Sequence, residues 1–164
     1  RKRQLSCRPM NRSTSDQAAV THASDALQAR IEASLARQGL MQHLGARLLR
    51  VEPGLCEIAL PYSERVTQQQ GGFHGGAMGA LADIAGGYAG LSVLDEGLEV
   101  VTVEYKINFL ASFNGGELHA LGRVVRPGKR VIVTTAELFH VAPDGRRQSC
   151  AVMQQTLAPV PQKY

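Results

Sequence analysis

Residues 71–94, GGFHGGAMGALADIAGGYAGLSVL, limit what this chain can become more than any other stretch. After Gly75 they have the length and apolar character of one helix. Yet Gly76, Gly79, Gly86, Gly87 and Gly90 lie inside it, each costing up to about 1 kcal/mol against Ala in a helix interior. Small residues on that scale mean that another backbone, a sheet or a second helix, approaches closely. Asp83 needs a separate account. Leu81, Ala82, Ile84 and Ala85 leave little polar face around it, and a carboxylate in such a setting must be paired, solvated or used in chemistry.

The helix is embedded in a sheet-forming chain. Ahead of it, from Ser24, the residues Ala26, Leu27, Ile31, Leu35 and Leu40 recur at helical spacing, with Ser24 or Asp25 as cap, and predict one amphipathic helix. Residues 44–51 and 55–60 read as strands joined through Glu52-Pro53-Gly54, where Pro-Gly suits a type II turn. Beyond the helix, Val101, Val103, Tyr105, Ile107 and Phe109 alternate with Thr102, Glu104, Lys106 and Asn108, which is the pattern of a half-buried strand over 99–110. Three more strands follow at 117–126, 131–141 and 148–157, separated by the turns Pro127-Gly128-Lys129-Arg130 and Pro143-Asp144-Gly145-Arg146. The expected fold class is α+β: about six antiparallel strands, all meandering, curved round one long central helix, plus an N-terminal helix. Such a sheet leaves exposed edges, so pairing of a strand with a second copy is expected.

A length of 164 residues suits one domain, read as 24–164 behind a polar, unstructured lead-in of 1–23 in which Met10 is a second potential start. The lead-in has no apolar core of a signal peptide, and no amphipathic helix of a transit segment is evident in it. The formal charge of +4 would favour nucleic acid, but Arg1, Lys2, Arg3, Arg8 and Arg12 account for it. From residue 13 onward acids and bases nearly cancel, so no nucleic-acid groove is expected. No run is long and apolar enough for a membrane span. Cys7, Cys56 and Cys150 fit neither a disulfide framework nor a zinc site, and imply a reducing, cytoplasmic setting.

Known motifs are mostly excluded. GGFHGG lacks the Lys-Ser/Thr of a P-loop and follows no strand, and His22, His43, His74, His119 and His140 are too scattered to form a metal site. No serine sits in a nucleophile elbow. His74 reads equally well as a helix cap or as part of a site. Gly75 and Asp83 lie eight residues apart, about 12 Å along a helix axis. If the free N–H groups at the helix start hold an oxyanion while Asp83 attacks or activates water, the carboxylate must come from a partner helix across a two-fold axis.

HGG at 74–76, LAD at 81–83, the strand VTVEYKINFLAS with its following Gly115, and the RPGKR turn together resemble the hotdog-fold acyl-CoA thioesterases of the phenylacetic-acid-degradation (PaaI-like) group, over about residues 44–157. The resemblance implies hydrolysis of an acyl-CoA thioester by a homodimer that pairs further into a homotetramer. It needs no cofactor, because coenzyme A is part of the substrate. It implies that the Gly75 N–H, between His74 and Gly76, polarises the thioester carbonyl, with Asp83 as nucleophile or general base and Gln68 assisting. Thr102 matches a hydroxyl position of the family, although strict alternation puts it opposite the apolar face. Arg126, Lys129 and Arg130 match the place where CoA phosphates bind, and equally suit a solvated basic hairpin. A non-catalytic acyl-CoA binding or sensing module on the same fold is the alternative. The arrangement does not match a hotdog dehydratase.

Overall fold

The structure, a computed structural model, describes residues 14–163. Two helices, α1 (Thr14–Ala36) and α2 (Gly39–Leu44), precede a hairpin of β1 (Arg47–Glu52) and β2 (Leu55–Pro61). The central helix α3 (Gly75–Leu91) follows, then β3 (Leu98–Phe109), β4 (Glu117–Arg126), β5 (Ile132–Val141) and β6 (Arg147–Pro161). The six strands form one antiparallel sheet in the order β1-β2-β4-β5-β6-β3, with α3 packed against it.

Three expectations change. The N-terminal helix begins at Thr14, inside the stretch read as unstructured; residues 1–13 lie outside the described residues. Between Thr14 and Ala36 there is no Gly or Pro, and the Ala- and Gln-containing sequence favours continuation. The predicted single helix is two, because Gly39 starts α2 and Gly45 ends it at φ 80°, so the first strand begins at Arg47 rather than Leu44. Finally, the sheet is not a simple meander. Only β4, β5 and β6 follow one another through the two short turns, whereas β3 lies at the far edge against β6, and β2 pairs with β4. Crossing the sheet along α3 carries the chain from one side to the other, and the longer link 110–116 brings it back.

Glycine spacing explains how the sheet closes on the helix. A Cβ on Gly90 would meet Leu157 Cδ1 at 2.5 Å, and one on Gly86 would meet Thr134 Oγ1 at 2.9 Å and collide with the Gln155 amide oxygen. On the strand side, Gly122 of β4 lies against the Ala85 carbonyl, with Gly86 N only 2.7 Å from where its Cβ would be. Gly122→Ala therefore drives a methyl group into backbone, which cannot rotate away. The expected loss is about 3 kcal/mol, roughly 6–12 °C in melting temperature, measurable by calorimetry.

Leu81, Ala82, Ala85 and Ala89 of α3 are wholly buried against Ile58, Leu118, Leu138 and their neighbours. Ile31 and Leu35 of α1 join the same core, as their spacing predicted. Cys56 and Cys150 are free and fully buried. Burial pushes their thiols up, Cys56 to about 12 and Cys150 to about 11. Neither is then a thiolate at pH 8, and both are expected to resist a thiol reagent until denaturant opens the core. Labelling read by mass spectrometry at each site checks this.

Candidate active site

The helix start is built by its own HGG. His74 is the N-cap in extended conformation, φ −68° and ψ 132°, and its Nδ1 accepts from Gly76 N at 2.8 Å. With Nδ1 accepting, the ring proton of the neutral imidazole resides on Nε2. Gly76 is needed for the cap to close, since a Cβ there would stand 2.9 Å from Nδ1. The cap satisfies Gly76 and leaves the Gly75 N–H without an acceptor among the described residues. The first N–H groups of a helix carry its positive dipole end, so this one is ready for a developing negative charge. The Phe109 ring lies over Gly75, at 3.2 Å from the site of an added Cβ.

Gln68 belongs to the tight loop that precedes this helix. Its backbone N–H donates to Gly72 O at 2.9 Å, and its side-chain oxygen accepts from Gln70 N. The amide nitrogen of Gln68 points towards Gly72, two residues before His74.

Asp83 sits two turns further along, half-buried, on the α3 face towards β3. Thr102 Oγ1 donates to its Oδ1 at 2.7 Å. The alternation of the strand placed Thr102 on the opposite face, and the structure corrects this. The β3·β6 register shifts between Thr102 and Glu104, so Val103 is an extra residue that reverses the alternation. Val100 and Thr102 therefore face the helix before the bulge, and Tyr105, Ile107 and Phe109 after it.

A second donor had no place in the sequence reading. Gln155 of β6, fully buried, donates from Nε2 to the same Asp83 Oδ1, to the Asp83 carbonyl at 3.2 Å and to Thr102 Oγ1 at 3.0 Å. Thr134 of β5, also fully buried, donates to Gln155 Oε1 at 2.9 Å. The available signal was the β6 alternation, in which Met153, Gln155 and Leu157 share the core-facing side. Both donors converge on one oxygen, and Oδ2 has no hydrogen-bond partner among the described residues.

Beside Asp83 opens a cleft of about 220 Å³, bounded by Gly87, Tyr88, Leu91, Val100 and Thr102 and closed by Ser34 and Gln38. Tyr88 Oη donates to Ser34 Oγ at 3.1 Å and accepts from Gln38 Nε2 at 2.8 Å, and burial pushes its phenol up to about 12. It is therefore a neutral hydroxyl near pH 7.

The structure joins Asp83 with Thr102, and Gly75 with His74 and Gly76, but keeps the two groups eight residues apart on one helix, about 12 Å. Arg126, Lys129 and Arg130 are exposed around a groove of about 470 Å³. This turn borders Val93, Leu94 and Leu98, beyond the C-terminal end of α3. It is separated from Gly75 of its own chain by the length of that 17-residue helix, about 25 Å. Among the described residues, no three His, Cys, Asp or Glu side chains converge as metal ligands, and no helix is long and apolar enough to cross a membrane.

A small-residue helix packed against a six-stranded antiparallel sheet is the hotdog fold. The sequence profile of the thioesterase superfamily matches residues 70–144. A solved thioesterase family protein from Silicibacter pomeroyi is 36% identical with a TM-score of 0.79, the match covering 83% of this chain and 99% of that one. A Saccharolobus solfataricus protein bearing an esterase name is 37% identical over 98 residues, 60% of this chain and 69% of that one. The E. coli PaaI protein from the phenylacetic acid degradation operon shares the fold, with a TM-score of 0.75 at 22% identity over 86% of this chain and 98% of that one. The chain belongs to the thioesterase superfamily and is a thioester hydrolase.

Proposed function

We propose that the protein hydrolyses acyl-CoA thioesters as a homodimer, each site combining Asp83 of one subunit with the Gly75 N–H of the other. The observation that carries this is the state of Asp83: one oxygen is held by Thr102 and Gln155, and the other has no partner among the described residues and stands beside a cleft. A carboxylate so held is oriented for attack or proton abstraction rather than spent in an ion pair. The Gly75 N–H receives the thioester oxygen, where negative charge grows as the carbonyl carbon becomes tetrahedral. Asp83 acts at that carbon in one of two ways. It attacks to form a mixed anhydride that water then cleaves, or it takes a proton from the water that attacks. In both, the C–S bond breaks, CoA leaves as the thiol and the acyl group as a carboxylate. No cofactor enters, since coenzyme A is part of the substrate.

The dimer has support in the sheet edge. Among the described residues no strand lies beside the outer edge of β3, and the strand exposes apolar side chains on both faces: Val101 and Val103 (49% and 61%) away from the helix, Tyr105 and Phe109 (43% and 51%) towards it. A twelve-residue edge strand with unpaired backbone groups calls for a second strand. Pairing β3 with its symmetry copy extends the sheet and sets the two α3 helices side by side; further pairing of dimers gives the homotetramer. In that dimer Asp83 and the basic turn of one chain both serve the thioester held at the partner's Gly75, with Arg126, Lys129 and Arg130 offering charge-assisted donors to the CoA phosphates.

Thiol release from a panel of short-chain, long-chain and aryl acyl-CoA thioesters tests the reading. Turnover of at least one is expected; binding of CoA without thiol release would instead identify a sensing module. Gln68→Ala is expected to lower kcat/KM by about tenfold, less than any change at Asp83, because Gln68 assists at the helix start without being the reacting group. Steady-state kinetics of the variant check this.

A further inference from the structure

We propose that Thr134 and Gln155 are positioning residues that select Oδ2 of Asp83 as the reacting oxygen; this rests on Asp83 being the group that attacks or activates water. Neither side chain reaches solvent, so neither touches substrate. Their order is set by chemistry. The Thr134 hydroxyl donates to Gln155 Oε1 at 2.9 Å, which satisfies the amide oxygen on the side away from Asp83 and leaves Nε2 to face the acid. Turned the other way, the amide would set Oε1 against a carboxylate and a backbone carbonyl, two acceptors facing a third. Nε2 in this orientation meets Asp83 Oδ1, the Asp83 carbonyl and Thr102 Oγ1 together, so the acid, its own helix turn and β3 are tied at one point.

Gly86 makes this possible. It sits one turn from Asp83 on α3, and a Cβ there would collide with Gln155 Oε1 and lie 2.9 Å from Thr134 Oγ1. The glycine thus vacates the volume that the buried amide occupies. With Oδ1 bound by two donors, the lone pairs free to act on substrate or water are those of Oδ2.

Three variants in the full-length protein test the inference, using whichever acyl-CoA of the panel is turned over fastest. Thr134→Val keeps shape and removes the donor; kcat is expected to fall about tenfold with KM within about twofold, the signature of a lost orienting contact. Thr134→Ser restores the hydroxyl and is expected to hold kcat within about twofold of the unaltered protein. Gln155→Met removes both donor and acceptor at similar volume, for an expected loss in kcat of about a hundredfold. If one of the two isosteric variants does not fold, the other carries the test. Wild-type kcat in a folded Thr134→Val or Gln155→Met protein overturns the inference, as does a loss in Thr134→Ser equal to that in Thr134→Val. Asp83→Asn separates this result from the broader reading. An inactive Asp83→Asn beside fully active Thr134→Val and Gln155→Met removes only the positioning role, whereas an active Asp83→Asn removes Asp83 as the reacting group and the positioning role with it.

Discussion

Asp83→Ala is expected to lower kcat on the order of 10³-fold or more while leaving the dimer and the fold in place. The two halves of this expectation come from different contacts. Activity falls because the carboxylate held by Thr102 and Gln155 is gone, and with it the oxygen that attacks or activates water; Glu99, which also lines the cleft, has neither donor. Stability changes little because Ala is the better helix residue and Gln155 Nε2 still donates to the Asp83 carbonyl and to Thr102 Oγ1. Melting temperature and sedimentation of the variant, measured beside its thiol-release rate, separate the two. Near-normal kcat in a folded dimer would remove Asp83 from the chemistry.

Gly75→Pro has the next largest expected effect, about 10²- to 10³-fold in kcat, because it deletes one N–H and little else. Gly75 is the first residue of α3, a position where proline is well tolerated since that N–H has no intrahelical partner. His74 already has the extended backbone, φ −68° and ψ 132°, that a residue before proline adopts. The added ring presses on the Phe109 ring, as the Cβ of any residue at this position would. Gly75→Ala is the control. It brings the same Cβ against Phe109 and keeps the N–H, so it is expected to retain most of the activity. Equal losses in the two variants would assign the effect to crowding rather than to the donor.

The parts of the fold that could be read from sequence are those written in local patterns. The central helix, the β1–β2 turn at Pro53-Gly54 and the β4–β5–β6 hairpins follow from periodicity and turn chemistry, and all are present. The place of β3 at the far edge was hidden, because strand order depends on where α3 carries the chain and not on the strand's own residues. The orientation of Thr102 was hidden for a similar reason. A single extra residue, Val103, reverses the alternation, and a bulge has no obligatory sequence mark here. Asp83 stood out as a charge in an apolar helix. Its holder Gln155 did not: the β6 alternation puts it on the core-facing side, but the reason a glutamine is buried there, its partner Thr134 directly opposite on the neighbouring strand β5, is visible only once the strands are paired.

The central claim, that one site is shared between two chains, is tested most directly by complementation between Asp83→Ala and Gly75→Pro subunits. The two are co-expressed with different affinity tags so that mixed dimers form. A mixed dimer has one site that lacks both groups and one that lacks neither. Random 1:1 assortment makes half the dimers mixed, so about a quarter of wild-type activity is expected from a mixture whose components are each nearly inactive. A mixture no more active than its parts would contradict the account and place both groups within a single chain.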